Sequence, residues 1–184
     1  MFKPKTFFLI LPFIIIFCSG KESIPSHEDY LTFEKKYRLE VKEFNDFLRE
    51  NKLENFSIEE ILRQGTSWKR LNEKPFVIPP KKYWENIIPT LKFLREEIIP
   101  LIGPVEILSA YRESSYNLRA GGAKKSKHLE FFAVDLKPVK VISRKELHAK
   151  LLELWEKKGK QNNLGLGLYS GLRFHIDRAG YRKW

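Results

Sequence analysis

Three things are scarce in this 184-residue chain: cysteine, histidine and long apolar stretches. Cys18 is the only cysteine, so no disulfide can close within the chain and no zinc site can be built from thiolates. The longest apolar run, Phe7 to Phe17, has eleven residues. A bilayer-spanning helix needs about 20, so the run is not read as a transmembrane segment. There is no internal repeat and no low-complexity tract, and the length suits one globular domain with accessories. With only His27, His128, His148 and His175 in the chain, the placing of each histidine carries weight.

The first residues, "MFKPKTFFLILPFIIIFCSG", combine Lys3 and Lys5, the short apolar run and small residues after it, which is the pattern of an export signal. Cys18 followed by Ser19 resembles a bacterial lipoprotein signal, in which residues 1–17 are removed and Cys18 becomes the lipid attachment point; Phe17 stands where that pattern prefers a small residue. This implies an exported protein of the cell envelope or periplasm, anchored to a membrane through Cys18. The alternative is an ordinary secretory peptide with a leftover thiol. Residues 18–26 are small and polar and read as a tether.

Acidic residues are outnumbered, with 34 Lys and Arg against 23 Asp and Glu and a net charge of +11. Such a balance favours polyanions: nucleic acid, anionic lipid or anionic wall polymer. Export removes nucleic acid from the expected partners, since a basic nucleic-acid binder needs a cytoplasmic location and lysine stripes with aromatic platforms.

From His27 to Asn51 apolar residues fall at Tyr30, Phe33, Tyr37, Val41, Phe44 and Leu48, a spacing that predicts one amphipathic helix. "SIEE" at Ser57 to Glu60 is a capping-box signature, with Gly65 as the stop of the short helix that follows. "KPFVIPPKKYW" reads as extended, with Pro80 suited to a first helical position. Helical pattern then runs to about Ile99, broken or restarted at Pro89, because an interior proline removes a donor and clashes with the preceding turn. Strand candidates are Val105 to Tyr111, Ala133 to Leu136, Leu164 to Tyr169 and Arg173 to Ala179, with a helix from Ser143 to Lys158 opened by "SRKE". Helices first and strands later, with one helix inserted, make an α+β arrangement.

If Ala133 to Lys137 is a strand, Asp135 faces away from Val134 and Leu136. If Arg173 to Ala179 is another, His175 and Asp177 share one face while Phe174 and Ile176 share the other. His128 lies just before the first strand. His128, Asp135 and His175 thus offer two imidazoles and a carboxylate, a donor set that suits zinc and leaves the fourth position for water, as in catalytic sites. Zinc lowers the pKa of such a water to about 7. The competing reading is that both histidines are satisfied loop or strand residues. His148, mid-helix, reads as surface, His27 has no partner in sequence, and Trp184 is expected to pack on the sheet or near the site.

"LSAYRESSYN", "GGAKKSKHLEFFAVDLKP" and the terminal "GLGLYSGLRFHIDRAGYRKW" resemble three successive blocks of the zinc D-Ala-D-Ala carboxypeptidase family, which shares its fold with the hedgehog signalling domain and includes murein endopeptidases and vancomycin-resistance dipeptidases. The likeness covers residues 79–184, and its most specific part is Ser-x-His followed at seven residues by Asp, with a later strand histidine. It implies a small, mainly antiparallel sheet carrying the zinc site and flanked by helices, in a domain of residues 79–184 behind a helical extension at 27–78. It makes His128, Asp135 and His175 the ligands of one zinc ion per chain. Arg112 falls where the family binds the substrate's carboxylate or carbonyl, a task that suits a guanidinium fork. Ser126 falls on a serine near the substrate, although a turn hydroxyl bonding backbone is an equal reading. Tyr116, Asn117, Gly121 and Gly122 match the connection between the arginine and the first ligand and read as loop-shaping.

Two positions depart from the family. Phe131 stands three residues after the first ligand, where glycine is common, and would either narrow the site or fill core. An acid common two or three residues before the last histidine is replaced by Arg173 and Leu172, neither of which can serve as a base at neutral pH. Asp177 is the substitute, either as the base or as an acceptor orienting a zinc histidine. Glu130 and Tyr169 are further candidates for proton transfer or oxyanion stabilisation, and Tyr169 also for substrate binding. The functional expectation is a zinc peptidase cutting peptidoglycan peptides, as a D,D-carboxypeptidase or a cross-link endopeptidase. The alternative is a non-catalytic zinc-containing lipoprotein that holds peptidoglycan.

Overall fold

The computed structural model describes residues 22–184; the signal segment, Cys18 and the first part of the tether lie outside the described residues. Among the described residues no helix is long and apolar enough to cross a membrane.

The apolar stripe at the start forms two helices, α1 (His27–Lys36) and α2 (Arg38–Glu50), where one was expected. The break is at Tyr37, with φ −118° and ψ 37°. Tyr37 still donates to the Phe33 carbonyl at 3.0 Å and accepts from the Val41 N–H at 2.9 Å, so the stripe stays in phase across the kink and Tyr30, Val41, Phe44 and Leu48 are all buried. Ser26 opens α1 with a reciprocal cap: its hydroxyl accepts from the Asp29 N–H, and its own N–H donates to the Asp29 carboxylate at 2.9 Å.

Short helices α3 (Ile58–Ile61), capped by Ser57 as expected, and α4 (Trp68–Leu71) follow. A 3-10 turn at Lys81–Tyr83 begins immediately after Pro80 and leads into α5 (Trp84–Phe93). Helix α5 runs through Pro89 without breaking, contrary to the sequence expectation. One lost hydrogen bond is outweighed by apolar residues on either side of the proline, with Ile87 and Leu91 fully buried. A π-helical turn at Leu94–Ile98 and α6 (Ile99–Ile102) extend the rod to Gly103.

The sheet has five strands in the order β1-β2-β4-β3-β5: β1 (Val105–Ser109), β2 (Ala133–Pro138), β3 (Gly165–Leu168), β4 (Phe174–Asp177) and β5 (Arg182–Lys183). All neighbours are antiparallel except β3 and β5, so the mainly antiparallel expectation holds with one parallel edge pair; β5 was not foreseen. Helix α7 (Ser114–Arg119) bridges β1 to the His128 turn, and α8 (Arg144–Lys158) sits between β2 and β3 on its Ser143 cap. Alternation divides the strands as expected: Val134, Leu136, Phe174, Ile176 and Leu166 enter a core shared with α5, with Leu147 and Leu151 of α8, and with Tyr30, Phe44 and Leu48 of the first two helices. The opposite face of β2 and β4 is left to polar side chains.

Phe131 explains why glycine suits its position. It closes a 3-10 turn (Lys127–Glu130) in the left-handed conformation, φ 61° and ψ 30°, which costs a non-glycine residue about 1–2 kcal/mol. Its ring does not narrow the site. It is fully buried in the core, 6.0 Å from the Phe44 ring of α2 and edge-on to Tyr111 at 6.2 Å. That burial more than offsets the strain, since removing a buried phenylalanine ring costs about 3–5 kcal/mol. The same turn is tied to α5 from behind: Thr90 Oγ1 donates to the Phe132 carbonyl at 2.7 Å and Asn86 Nδ2 to the Glu130 carbonyl at 2.8 Å. Phe131→Ala should therefore lose about 3–5 kcal/mol in urea unfolding. Phe131→Gly should be at least as stable as Phe131→Ala, reversing the usual order, because glycine relieves the positive φ.

Candidate metal centre

The register of the sheet sets one polar row across the face turned away from the apolar core. Ser109 of β1 pairs with Asp135 of β2, Asp135 with His175 of β4, and His175 with Gly167 of β3. His128 reaches the same point from the 3-10 turn, where the Ser126 hydroxyl accepts from its backbone N–H at 3.4 Å. His128, Asp135 and His175 are all buried, and among the described residues they form the group of histidines and carboxylates able to hold a metal ion.

The outer edges of both rings are fixed by acceptors. The Ala110 carbonyl lies 2.5 Å from His128 Nδ1 and can only accept, so that nitrogen carries the proton. Asp177 Oδ2 lies 3.0 Å from His175 Nε2 and can hold a proton there, leaving Nδ1 to donate to a metal. The inner atoms that remain are His128 Nε2, His175 Nδ1 and Asp135 Oδ1, separated by 3.2 Å, 3.0 Å and 3.3 Å. Three acceptors facing one point repel unless a cation lies among them. Bonds of about 2.0–2.1 Å in tetrahedral directions put donor atoms about 3.3 Å apart, so both the donor chemistry and the spacing fit zinc.

Electrostatics act in the same direction. Burial, with the Arg112 charge beside it, lowers the His128 pKa to about 4, which keeps the imidazole neutral and able to donate a lone pair. Burial also opposes the charged form of His175, but hydrogen bonds to Asp135 and Asp177 prevail and raise its pKa. A proton and a metal ion thus compete for His175 Nδ1. Burial works against ionised Asp135 as well, yet His128 and Arg112 hold its carboxyl well below the usual carboxylate range.

Arg112 is in the site, and its guanidinium meets Asp135 Oδ2. Its Nε donates to Ser109 Oγ at 2.8 Å and to the Gln64 carbonyl at 3.3 Å. Gln64 is fully buried and its amide is itself fixed, accepting from the Glu113 N–H at 2.9 Å and donating to the Lys74 carbonyl at 3.0 Å. Gln64 and Ser109 were not singled out from sequence; neither belongs to a chemical motif, and only the fold brings residue 64 beside residue 112.

Asp177 is placed as the acceptor that orients His175, on the opposite edge of the ring from the donor atoms. It is fully buried, and its remaining lone pairs are taken by Arg182 at 2.6 and 3.1 Å and by the Ala179 N–H at 2.9 Å. A base for water beside the three donors is therefore not what this position supplies. Opposite His175 and Asp177, strand β3 carries only glycine: a Cβ on Gly165 would meet Asp177 Oδ2 at 2.4 Å, and one on Gly167 would meet the Trp184 ring at 2.7 Å. Trp184 does both things expected of it, pairing along β3 and lying 5.1 Å from the His175 ring.

The site opens into a cleft of about 990 Å³, within the range of pockets that hold a peptide-sized ligand. Ser126 and Tyr169 line it, and burial raises the Tyr169 pKa to about 12, so its hydroxyl stays protonated. Glu130 is exposed, lies 3.9 Å from Lys127, and is not part of the cleft wall. His148 is half-buried on α8, and His27 does find a partner, Glu59, at 2.8 Å; both are away from the cleft. Arg173 was dismissed as a base but lies in the site, its Nη2 2.6 Å from Asp135 Oδ2. Alternation accounts for its place: Arg173, just before β4, falls on the same face as His175 and Asp177.

The family model for Peptidase M15 matches residues 54–176, about two thirds of the chain and all three metal-donor positions. No curated protein and no solved structure gives a significant match. The matched span, beginning in the segment before α3 and ending in β4, encloses the donor triangle, the Arg112 clamp and the buried Gln64; the chain belongs to the Peptidase M15 family of zinc peptidases.

Proposed function

We propose that the protein is an exported, zinc-dependent peptidase that hydrolyses peptide bonds of peptidoglycan, as a D,D-carboxypeptidase or a cross-link endopeptidase. The observation that carries this reading is the triangle of three buried acceptors, each fixed from behind, at the mouth of a peptide-sized cleft. A structural zinc site is closed by four protein ligands, whereas three protein ligands leave a position for water or substrate.

His128, Asp135 and His175 would hold one zinc ion, which supplies Lewis acidity at a carbonyl and a nucleophile from water near neutral pH. The chain's own residues do the rest. Ala110 and Asp177 accept from the outer ring N–H groups and so aim the two inner nitrogens. Arg112, braced by Ser109 and Gln64, presents a permanently charged fork for the substrate's carbonyl or carboxylate. Tyr169, protonated and on the cleft wall, offers an O–H to charge developing on the carbonyl oxygen. Trp184 packs beside the His175 ring on the cleft wall. In this reading Cys18 is the lipid attachment point behind the export signal, and the peptidase sits on a membrane facing the cell envelope, where peptidoglycan lies. Nucleic acid is not a partner in this reading.

A binding module that retains zinc without hydrolysis is favoured by one observation, the lack, among the described residues, of a free carboxylate base beside the donors. Incubating the purified protein with monomeric and cross-linked muropeptides and weighing the products separates the two. Cleavage of either substrate, lost in His128→Ala and His175→Ala together with one equivalent of zinc, is the expected outcome. One equivalent of zinc with no cleavage of either substrate would sink the peptidase in favour of the module.

The role of Asp177 has its own test. Asp177→Asn should weaken zinc binding about 10–100-fold in a chelator competition, because the histidine it aims loses its fixed tautomer. Unchanged zinc affinity with lost hydrolysis would instead make Asp177 the base.

A further inference from the structure

The geometry points to Arg173 as a specificity-determining residue: we propose that it binds a carboxylate on the residue that leaves after the scissile bond, a place that the Glu22 carboxylate takes in the free protein. This rests on the peptidase reading and narrows its substrates to peptides whose leaving residue carries a free α-carboxylate.

Strand alternation puts Arg173 on the same face as His175, and its guanidinium lies against the metal-donor triangle, Nη2 on Asp135 Oδ2 at 2.6 Å. Arg112 meets the same oxygen, so two guanidinium groups share one carboxylate that also faces the metal position. Asp177 cannot balance the surplus, because its own charge is matched by Arg182. Lys125 and Lys127 also line the cleft, Lys127 with Glu130 only at 3.9 Å, while Lys137 is matched by Glu106 at 2.8 Å; Glu22 and Asp135 are the cleft's carboxylates. A cleft so charged calls for an anionic ligand group beside the reacting bond.

Arg173 has donors to give such a group. Its Nε is buried and finds no acceptor among the described residues, and its Nη1 is engaged only by Glu22 Oε1 at 3.1 Å. Glu22 is brought to the cleft mouth by its neighbour, since the Ser23 N–H donates to the Thr66 carbonyl at 2.8 Å and Trp68 Nε1 donates to the Ser23 carbonyl at 2.9 Å. The Glu22 side chain is 65% exposed, and an ion pair so solvated is weak and exchangeable. A ligand carboxylate on Arg173 would take the place of the Glu22 carboxylate, which is easily displaced.

The test uses ketomethylene isosteres of acetyl-D-Ala-D-Ala, one with a free C-terminal carboxylate and one with a C-terminal amide, neither of which can be hydrolysed. Their dissociation constants are measured by calorimetry on the zinc-loaded full chain. Wild type should favour the carboxylate by at least about tenfold, as expected of charge-assisted hydrogen bonds. Arg173→Gln should bring the ratio toward one with amide binding little changed, Arg173→Lys should keep part of it, and Glu22→Gln should tighten carboxylate binding alone. An unchanged ratio in Arg173→Gln at wild-type melting temperature overturns the inference, as does failure of wild type to bind either isostere at millimolar concentration. If Arg173→Gln does not fold, an unchanged ratio in Arg173→Lys together with no gain in Glu22→Gln overturns it. Hydrolysis of acetyl-D-Ala-D-Ala, followed separately by mass, distinguishes the two claims: discrimination without hydrolysis keeps the Arg173 role and sinks the peptidase, and hydrolysis without discrimination does the reverse.

Discussion

Asp135 is 1% exposed, and an ionised carboxylate cannot be held there without several partners. Much of the site is the set of partners it requires. One oxygen faces two imidazoles and the other faces two guanidinium groups. Each of those four is braced in turn: His128 by the Ala110 carbonyl, His175 by Asp177, Arg112 by Ser109 and Gln64, and Arg173 by Glu22. The braces come from four parts of the chain, the Ser109–Ala110 end of β1, Asp177 of β4, Gln64 and Glu22, so the buried charge ties those parts together.

The apolar half of the structure keeps that unit in register. A one-residue slip between β2 and β4 would turn Asp135 and His175 into the core and expose Val134 and Ile176. The fully buried Val134, Leu136, Phe174 and Ile176 make such a slip costly. Phe131 extends the same logic to the turn that carries His128: a left-handed backbone is accepted because its ring is locked between Phe44 and Tyr111. The first two helices therefore bear on the site indirectly, through the packing under that turn.

What was legible in the sequence followed from short-range rules. Period-two alternation in "AVDLK" and "RFHIDRA" gave two strands and turned Asp135 and His175 to the face opposite the core, and the resemblance of three blocks assigned His128 to the same point. The capping residues Ser57 and Ser143 marked helix starts correctly. Tertiary effects were what escaped. The uninterrupted helix through Pro89 depends on burial of Ile87 and Leu91, the kink at Tyr37 leaves the apolar stripe in phase and so leaves no trace in it, and β5 is a two-residue edge too short to show a period. Gln64 could not be found because its role is a backbone carbonyl and a buried amide, brought to Arg112 by the fold. Arg173 could have been found, because the alternation that placed His175 applies equally two residues earlier.

The central claim is that His128, Asp135 and His175 are one preassembled zinc site whose donor atoms are chosen by what stands behind them. Anomalous diffraction at the zinc edge from crystals of the loaded protein tests it most directly. The account requires a single peak about 2.0–2.1 Å from His128 Nε2, Asp135 Oδ1 and His175 Nδ1. A peak bonded to His175 Nε2 and Asp177, or no peak at the triangle, would contradict it.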